Sequence, residues 1–225
     1  MSAPIAAFFD LDMTLISKSS AFAFGKPFLK EGLVTWRQVL WLMKEQLMFL
    51  IRGADDESIQ RQRHNIADVI RGWEAEKTRD VIERAIPDVI LPYVFPEGKK
   101  LLEDHRNAGH DLIILSTSGD PMVVPIAREL GVETARGAEV EVKDGICTGK
   151  MELGRGGEVK VQHAQELAQE RGYDLSEAYF YTDSITDLPL LEKVGHPVAV
   201  NPDRRLRRIA EERGWKILKF EKSRR

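Results

Sequence analysis

The stretch Phe8-Phe9-Asp10-Leu11-Asp12-Met13-Thr14-Leu15-Ile16 organises the chain around itself. An apolar run from Ile5 to Phe9 stops abruptly at two carboxylates one residue apart, and a threonine follows two positions later. A short continuous apolar run bounded by a turn reads as a strand buried on both faces. Side chains alternate along a strand, so Asp10 and Asp12 leave its C-terminal end on about the same side. Open α/β sheets bind ligands at the carboxyl ends of their strands, so two acids there point to chemistry. An Asx-turn or a helix cap after the strand would use the same residues.

Beyond Ile16 the pattern turns helical and stays so to about Ile86. Ser19-Ser20 can cap a helix from Ala21 to Lys30, and Thr35 can cap a second from Trp36 to Arg52. A third runs from Asp55-Asp56-Glu57 to about Arg71, and a fourth from Glu74 to Ala85, closed by Pro87. Four helices between two strand-forming regions predict a helical bundle at 17–87 inserted into an α/β core of 1–16 and 88–225. The insertion follows the first acidic loop directly, which places it over the site as a cap. Helix 36–52 is oily on two stripes, one including Val39, Met43, Leu47 and Leu50, the other Trp41, Leu42, Met48 and Phe49. Burial in the bundle accounts for this. So would a homodimer face, a peripheral membrane contact or a seat for a hydrophobic substrate tail.

The α/β rhythm returns at Glu97. A helix from Gly98 to Ala108 leads to a buried strand, Asp111 to Leu115, which ends in Ser116-Thr117-Ser118-Gly119-Asp120 before a helix to about Leu130. Small hydroxyl residues where a strand meets a helix offer free N–H groups and side-chain donors to an anion, and ordinary capping would use them equally well. Val140 and Ile146 flank Asp144-Gly145 in a predicted β-hairpin. A glycine-rich connector reaches Lys160, in the first turn of an amphipathic helix where a cation opposes the helix dipole. A solvated surface lysine is the simpler reading, and His163 reads as surface or structural. The strand Tyr179 to Thr182 ends in Asp183, with Asp187 four residues on. His196 to Val200 is a further strand, Arg204 to Arg213 a basic helix, and Lys216 to Phe220 a last edge strand.

These four stretches, in this order, resemble the four motifs of the haloacid dehalogenase superfamily: Asp10-x-Asp12-x-Thr14, Ser116 after a strand, Lys160 after a glycine loop, and Asp183-x-x-x-Asp187. The resemblance implies a Rossmann-like parallel sheet carrying the helical cap and the small hairpin. It implies Asp10 as nucleophile and Asp12 as general acid and base. Ser116 would bind phosphate through its hydroxyl and Thr117 and Ser118 through their backbone. Lys160 would neutralise charge, and Thr14 would hold the loop. The metal would lie on Asp10, the Asp12 carbonyl and Asp183, with Asp187 in support. Leu188-Pro189-Leu190-Leu191 resembles the phosphoserine-phosphatase-like branch, whereas Thr182 stands where the family often has glycine. Members acting on phosphoserine usually carry an acid a few positions after the first motif. Here that place reads Ser17-Lys18-Ser19-Ser20, and Lys18 would repel an ammonium group. The expected substrate is a small or amphiphilic phosphomonoester, with Lys18, Arg52 and Arg61 as candidate specificity residues.

Electrostatics leads to the same cofactor. One like-charge pair at ~4 Å costs ~4 kcal/mol at an effective dielectric of ~20. Four carboxylates and a phosphate therefore need a hard divalent cation, and oxygen donors indicate Mg²⁺. A phosphotransferase of the same superfamily, or a receiver-like phosphoacceptor, would share the pocket. Receivers, however, need no acid two residues after the nucleophile. Composition trims the remaining classes. The 225 residues are 43% hydrophobic, so the chain can build a sizeable core. Its formal charge of −3 argues against a nucleic-acid surface. A single cysteine, Cys147, excludes an internal disulfide and suits a reducing compartment. No apolar stretch reaches the ~18 residues of a membrane span, and no leader peptide is evident. A soluble cytoplasmic protein is expected.

Overall fold

The computed structural model describes residues 3–41, 44, 66–151 and 157–221. Its centre is β1 (Ala6–Phe9), whose four side chains are all fully buried. Small and aromatic residues that shed water on both faces suit a strand with helices above and below. On one side β1 pairs in parallel with β2 (Asp111–Gly119), and on the other with β6 (Tyr179–Thr182). β3 (Thr134–Ala138), β7 (His196–Val200) and β8 (Lys216–Leu218) complete a six-stranded parallel sheet of order β3-β2-β1-β6-β7-β8. A separate antiparallel hairpin joins β4 (Val140–Lys143) to β5 (Ile146–Met151). Asp144 and Gly145 take φ of 50° and 77° at its turn, the left-handed pair that an Asp-Gly hairpin requires.

Strand alternation divides the core. Ala7 and Phe9 pack with α3 (Ala75–Val89), α4 (Pro96–Asn107) and α5 (Asp120–Glu129), through Ile82, Ile86, Leu102, Val123 and Ile126. Ala6 and Phe8 face α6 (Gly157–Arg171), α7 (Leu188–Leu191) and α8 (Arg204–Glu212), through Ala164, Leu167, Leu190, Leu206 and Ala210. With apolar layers on both faces, the carboxyl ends of the strands are where polar side chains collect.

Between β1 and β2 the chain makes an excursion that is pinched at its base, where Ile16 and Val94 form an isolated antiparallel bridge. Ser17 N–H donates to the Tyr93 carbonyl at 2.8 Å, and Phe95 N–H to the Leu15 carbonyl at 3.0 Å. The hairpin also grips the excursion, with Gly72 donating to Cys147, Cys147 to Trp73 and Ala75 to Gly145, each at 2.8 Å.

Several local expectations need correcting. The helix expected over Ala21–Lys30 is two short ones, α1 (Ser20–Ala23) and α2 (Gly25–Lys30), meeting at Phe24. Pro87 does not close α3, which runs on to Val89. A proline so near a helix end forfeits a single backbone bond, and burial of Ile86 and Ile90 outweighs that loss. β2 extends through Ser116, Thr117 and Ser118 to Gly119. β8 stops at Leu218, two residues short of the expected end. Lys160 is buried rather than solvated, and His163, expected at the surface or in a structural role, is buried as well. The expected cap at Thr35 is present: its hydroxyl accepts from Gln38 N–H, and Gln38 Oε1 answers from Thr35 N–H. Most of the oily helix, with Arg52 and Arg61, lies outside the described residues. At its start Trp36, Leu40 and Trp41 are exposed. No described helix is long and apolar enough to cross a membrane.

Candidate active site

β1 delivers Asp10 to the carboxyl edge of the sheet, and Asp10 N–H still bonds the Tyr181 carbonyl of β6 at 2.9 Å. The chain then turns sharply. Met13 adopts φ 63°, and Leu15 and Ile16 N–H both bond the Leu11 carbonyl at 3.0 Å. A left-handed methionine is a local strain, and here it folds Thr14 back beneath Asp10. The Thr14 hydroxyl lies 3.2 Å from Asp10 Oδ2 and 3.2 Å from Asp183 Oδ1, with only one proton to give.

Lys160 reaches the same point from α6. Its ammonium is 3% exposed and donates to Asp10 Oδ1 at 2.6 Å and Asp187 Oδ2 at 2.7 Å. Burial alone would favour the neutral amine, but the two carboxylates outweigh it and hold the ammonium well above the usual lysine range. Gly157 makes this approach possible, because a Cβ there would collide with the Thr186 carbonyl. Asp187 also accepts from the Thr182 hydroxyl at 2.5 Å. Its other oxygen, Oδ1, is buried and has no hydrogen-bond partner.

The carboxylates are otherwise under-compensated. Burial, then repulsion from Asp10 and Asp187, pushes Asp183 up to about 8. Burial raises Asp10 to about 6 even with Lys160 beside it. Such a site lacks positive charge. The orphaned Asp187 oxygen and the two proton-hungry acids fit a divalent cation with water in its shell. Among the described residues no three acidic, imidazole or thiol side chains form a cage. Asp10, Asp183 and the Asp12 carbonyl, the ligands the family resemblance implies, could hold such an ion together with waters, the sparse protein set that Mg²⁺ accepts.

Asp12 has a separate set of partners. Its Oδ1 accepts from Ser20 N–H at 3.0 Å, and its Oδ2 from the Ser20 and Ser118 hydroxyls at 3.1 and 3.2 Å. Burial raises its pKa against these donors. Ser116 is buried within β2, and its hydroxyl accepts from Ser118 N–H at 3.2 Å. Thr117 turns its side chain to solvent, as strand alternation dictates. Asp10, Thr14, Lys160, Asp183 and Asp187 thus form one connected cluster, and Asp12 joins Ser118 beside it.

Ser20, Thr182 and Asp203 carry no site role in the sequence reading, and the Ser118 hydroxyl adds one to its backbone. From sequence Ser20 reads as a helix cap, and Ser118 enters the site through its backbone. Thr182 was noted only as a departure from glycine. Asp203, which caps α8 after β7, braces the Asp183 loop by accepting from Ile185 N–H at 2.7 Å. A polar residue replacing an expected glycine was the one available signal, and it marked Thr182.

Comparison with known proteins agrees with this geometry. Residues 7–192 match the haloacid dehalogenase-like hydrolase family. A Mycobacterium tuberculosis protein named "Probable phosphatase" is 44% identical over 96% of this chain and 75% of its own. A phosphoserine phosphatase of the same species is 33% identical over 96% and 70%. A histidinol-phosphatase of Neisseria meningitidis serogroup C is 31% identical over 95% and 98%. Among solved structures, a phospho-aspartyl intermediate analogue of phosphoserine phosphatase shares the fold, with TM-score 0.67, 18% identity and coverage of 98% and 95%. An acidic strand-end cluster with one buried lysine, on this sheet order and among these relatives, leaves one assignment: the chain belongs to the haloacid dehalogenase-like hydrolases, in their phosphoserine-phosphatase-like branch, and is a phosphatase.

Proposed function

We propose that the chain is a Mg²⁺-dependent phosphomonoesterase working through an aspartyl-phosphate on Asp10. The observation that carries this reading is the Lys160 ammonium, buried 2.6 Å from Asp10 and 2.7 Å from Asp187. A lysine sealed among acids balances a nucleophile and an incoming anion. Asp10 Oδ1 and Oδ2 are fixed by Lys160 and Thr14, which orients the carboxylate for in-line attack on phosphorus. The P–O bond to the substrate alcohol breaks as the Asp10–phosphorus bond forms, and Asp12 gives its proton to the departing oxygen. Asp12 then takes a proton from the water that cleaves the intermediate. Ser116 and the backbone at Thr117 and Ser118 would receive the phosphate oxygens. Mg²⁺ on Asp10, Asp183 and the Asp12 carbonyl would neutralise the phosphate, with Asp187 orienting its waters. Residues 17–87 serve as the cap and the remainder as the catalytic core.

The substrate is a small or amphiphilic phosphomonoester. Relatives at 33% and 31% identity carry the names of two different phosphatases, so likeness alone singles out neither substrate. Ser17, Lys18, Ser19 and Ser20 bring no acid to the loop after Asp12. The Lys18 ammonium sits 3.2 Å over the Tyr93 ring. These features disfavour an ammonium-bearing substrate such as phosphoserine. The exposed Trp36, Leu40 and Trp41 suit contact with a second copy or a lipid surface, to be read by sedimentation with and without vesicles.

Assay of p-nitrophenyl phosphate hydrolysis tests the chemistry. Asp10→Asn should abolish turnover with the fold kept, and EDTA should abolish wild-type turnover until Mg²⁺ is restored. Full activity in EDTA would refute the metal assignment.

A further inference from the structure

Asp12 is held from two directions by serine hydroxyls that take no part in the proposed steps. Ser20 is the first residue of α1, on the excursion that leaves the sheet, and it is completely buried. It grips both Asp12 oxygens, Oδ1 through its N–H and Oδ2 through its hydroxyl. Ser118, near the end of β2, donates its hydroxyl to the same Oδ2. The two serine hydroxyls lie 3.0 Å from each other, 98 residues apart in sequence. A closed triangle of Asp12, Ser20 and Ser118 therefore ties the start of the excursion to the sheet through the acid itself.

We propose that Ser20 and Ser118 are positioning residues that fix the Asp12 carboxyl for proton transfer to the leaving-group oxygen, so that Asp12 is aligned only while α1 is seated against β2. The proposal rests on Asp12 being the acid of the phosphatase reaction. Three donors from two separate segments remove the rotamer freedom a lone aspartate would keep. A hydroxyl both donates and accepts, so the pair can hold Asp12 in one place as acid and, a step later, as base. Neither serine touches Asp10, Lys160 or Asp183 through a hydrogen bond in the structure, so losing one leaves the nucleophile and its ammonium in place.

The test compares kcat/KM for p-nitrophenyl phosphate, whose leaving group needs little protonation, with phenyl phosphate, whose leaving group needs more. Positioned acids contribute about 10²–10⁴-fold, and loss of one holding hydroxyl should forfeit part of that. Ser118→Ala should lower phenyl phosphate turnover about tenfold and p-nitrophenyl phosphate less than about threefold. Ser118→Thr should restore most of the loss, and Ser20→Ala should show the same selectivity. In an Asp12→Asn background Ser118→Ala should add nothing further, because its effect passes through Asp12. Equal losses on both substrates, no loss, or a full additional loss beside Asp12→Asn would overturn the proposal. If Asp12→Asn itself shows no dependence on leaving group, the acid assignment fails first and the proposal falls with it. If the wild type releases phosphate from neither ester, the hydrolase reading fails.

Discussion

The ammonium of Lys160 faces two carboxylates while a third, Asp183, shares only the Thr14 hydroxyl. Sequence alone could not place that lysine, because a lysine in a first helical turn is ordinarily solvated; its burial depends on Asp10 and Asp187, 150 and 27 residues away. Without a counter-cation this cluster should therefore be costly at neutral pH. A carboxyl whose folded pKa is raised contributes stability in full below its unfolded value and loses it as pH rises through the folded one. With Asp183 at about 8 and Asp10 at about 6, the metal-free protein should lose stability progressively between about pH 4 and pH 8. Mg²⁺ bound as proposed would replace the missing protons, so it should raise Tm more at pH 8 than at pH 5. A shift independent of pH would contradict this. Thr182 makes a narrower test. Thr182→Val removes the donor to Asp187 while keeping shape, leaving Lys160 as that buried carboxylate's remaining side-chain partner among the described residues. We expect a loss of about 1–3 kcal/mol in denaturant unfolding and at least a tenfold drop in kcat. Unchanged kcat would deny Asp187 any part in the site.

At the level of the elements, the legible parts were those whose local chemistry and tertiary role agree. β1 announced itself because a strand buried on both faces must be continuously apolar, and Asp144-Gly145 because left-handed turn residues are few. β3 was not foreseen: Thr134-Ala135-Arg136-Gly137-Ala138 has no apolar run, and it stands at the sheet edge with only β2 to pair with. α3 overran Pro87 for the complementary reason, since packing of Ile86 and Ile90 overrode a local breaker. α6 offers a direct test, because Gly157 lets its first turn touch the Asp183–Asp187 loop. Gly157→Ala should push α6 away from Thr186 and withdraw Lys160, costing about 1–3 kcal/mol of stability and more than tenfold in kcat. A variant with wild-type kcat would show that Lys160 tolerates the shift.

Across the whole molecule, the acids come from opposite ends of the chain, Asp10 and Asp12 after the first strand and Asp183 and Asp187 after the sixth. The parallel sheet brings them together because β1 and β6 are neighbours. The order of the four motifs was readable in the sequence; that adjacency was not, since strand order is a property of the folded sheet. The bonds from the hairpin to Gly72, Trp73 and Ala75 were equally hidden, being backbone contacts that no side-chain pattern encodes. The central claim is that Asp10 carries the phosphoryl group, and one measurement addresses it most directly. Turnover is quenched in acid, the acyl-phosphate is reduced with borohydride, and the modified peptide is identified by mass spectrometry. The label should fall on Asp10, require Mg²⁺, and build up when Asp12→Asn slows hydrolysis of the intermediate. A label on any other residue, or steady phosphate release with no labelled aspartate under those conditions, would contradict it.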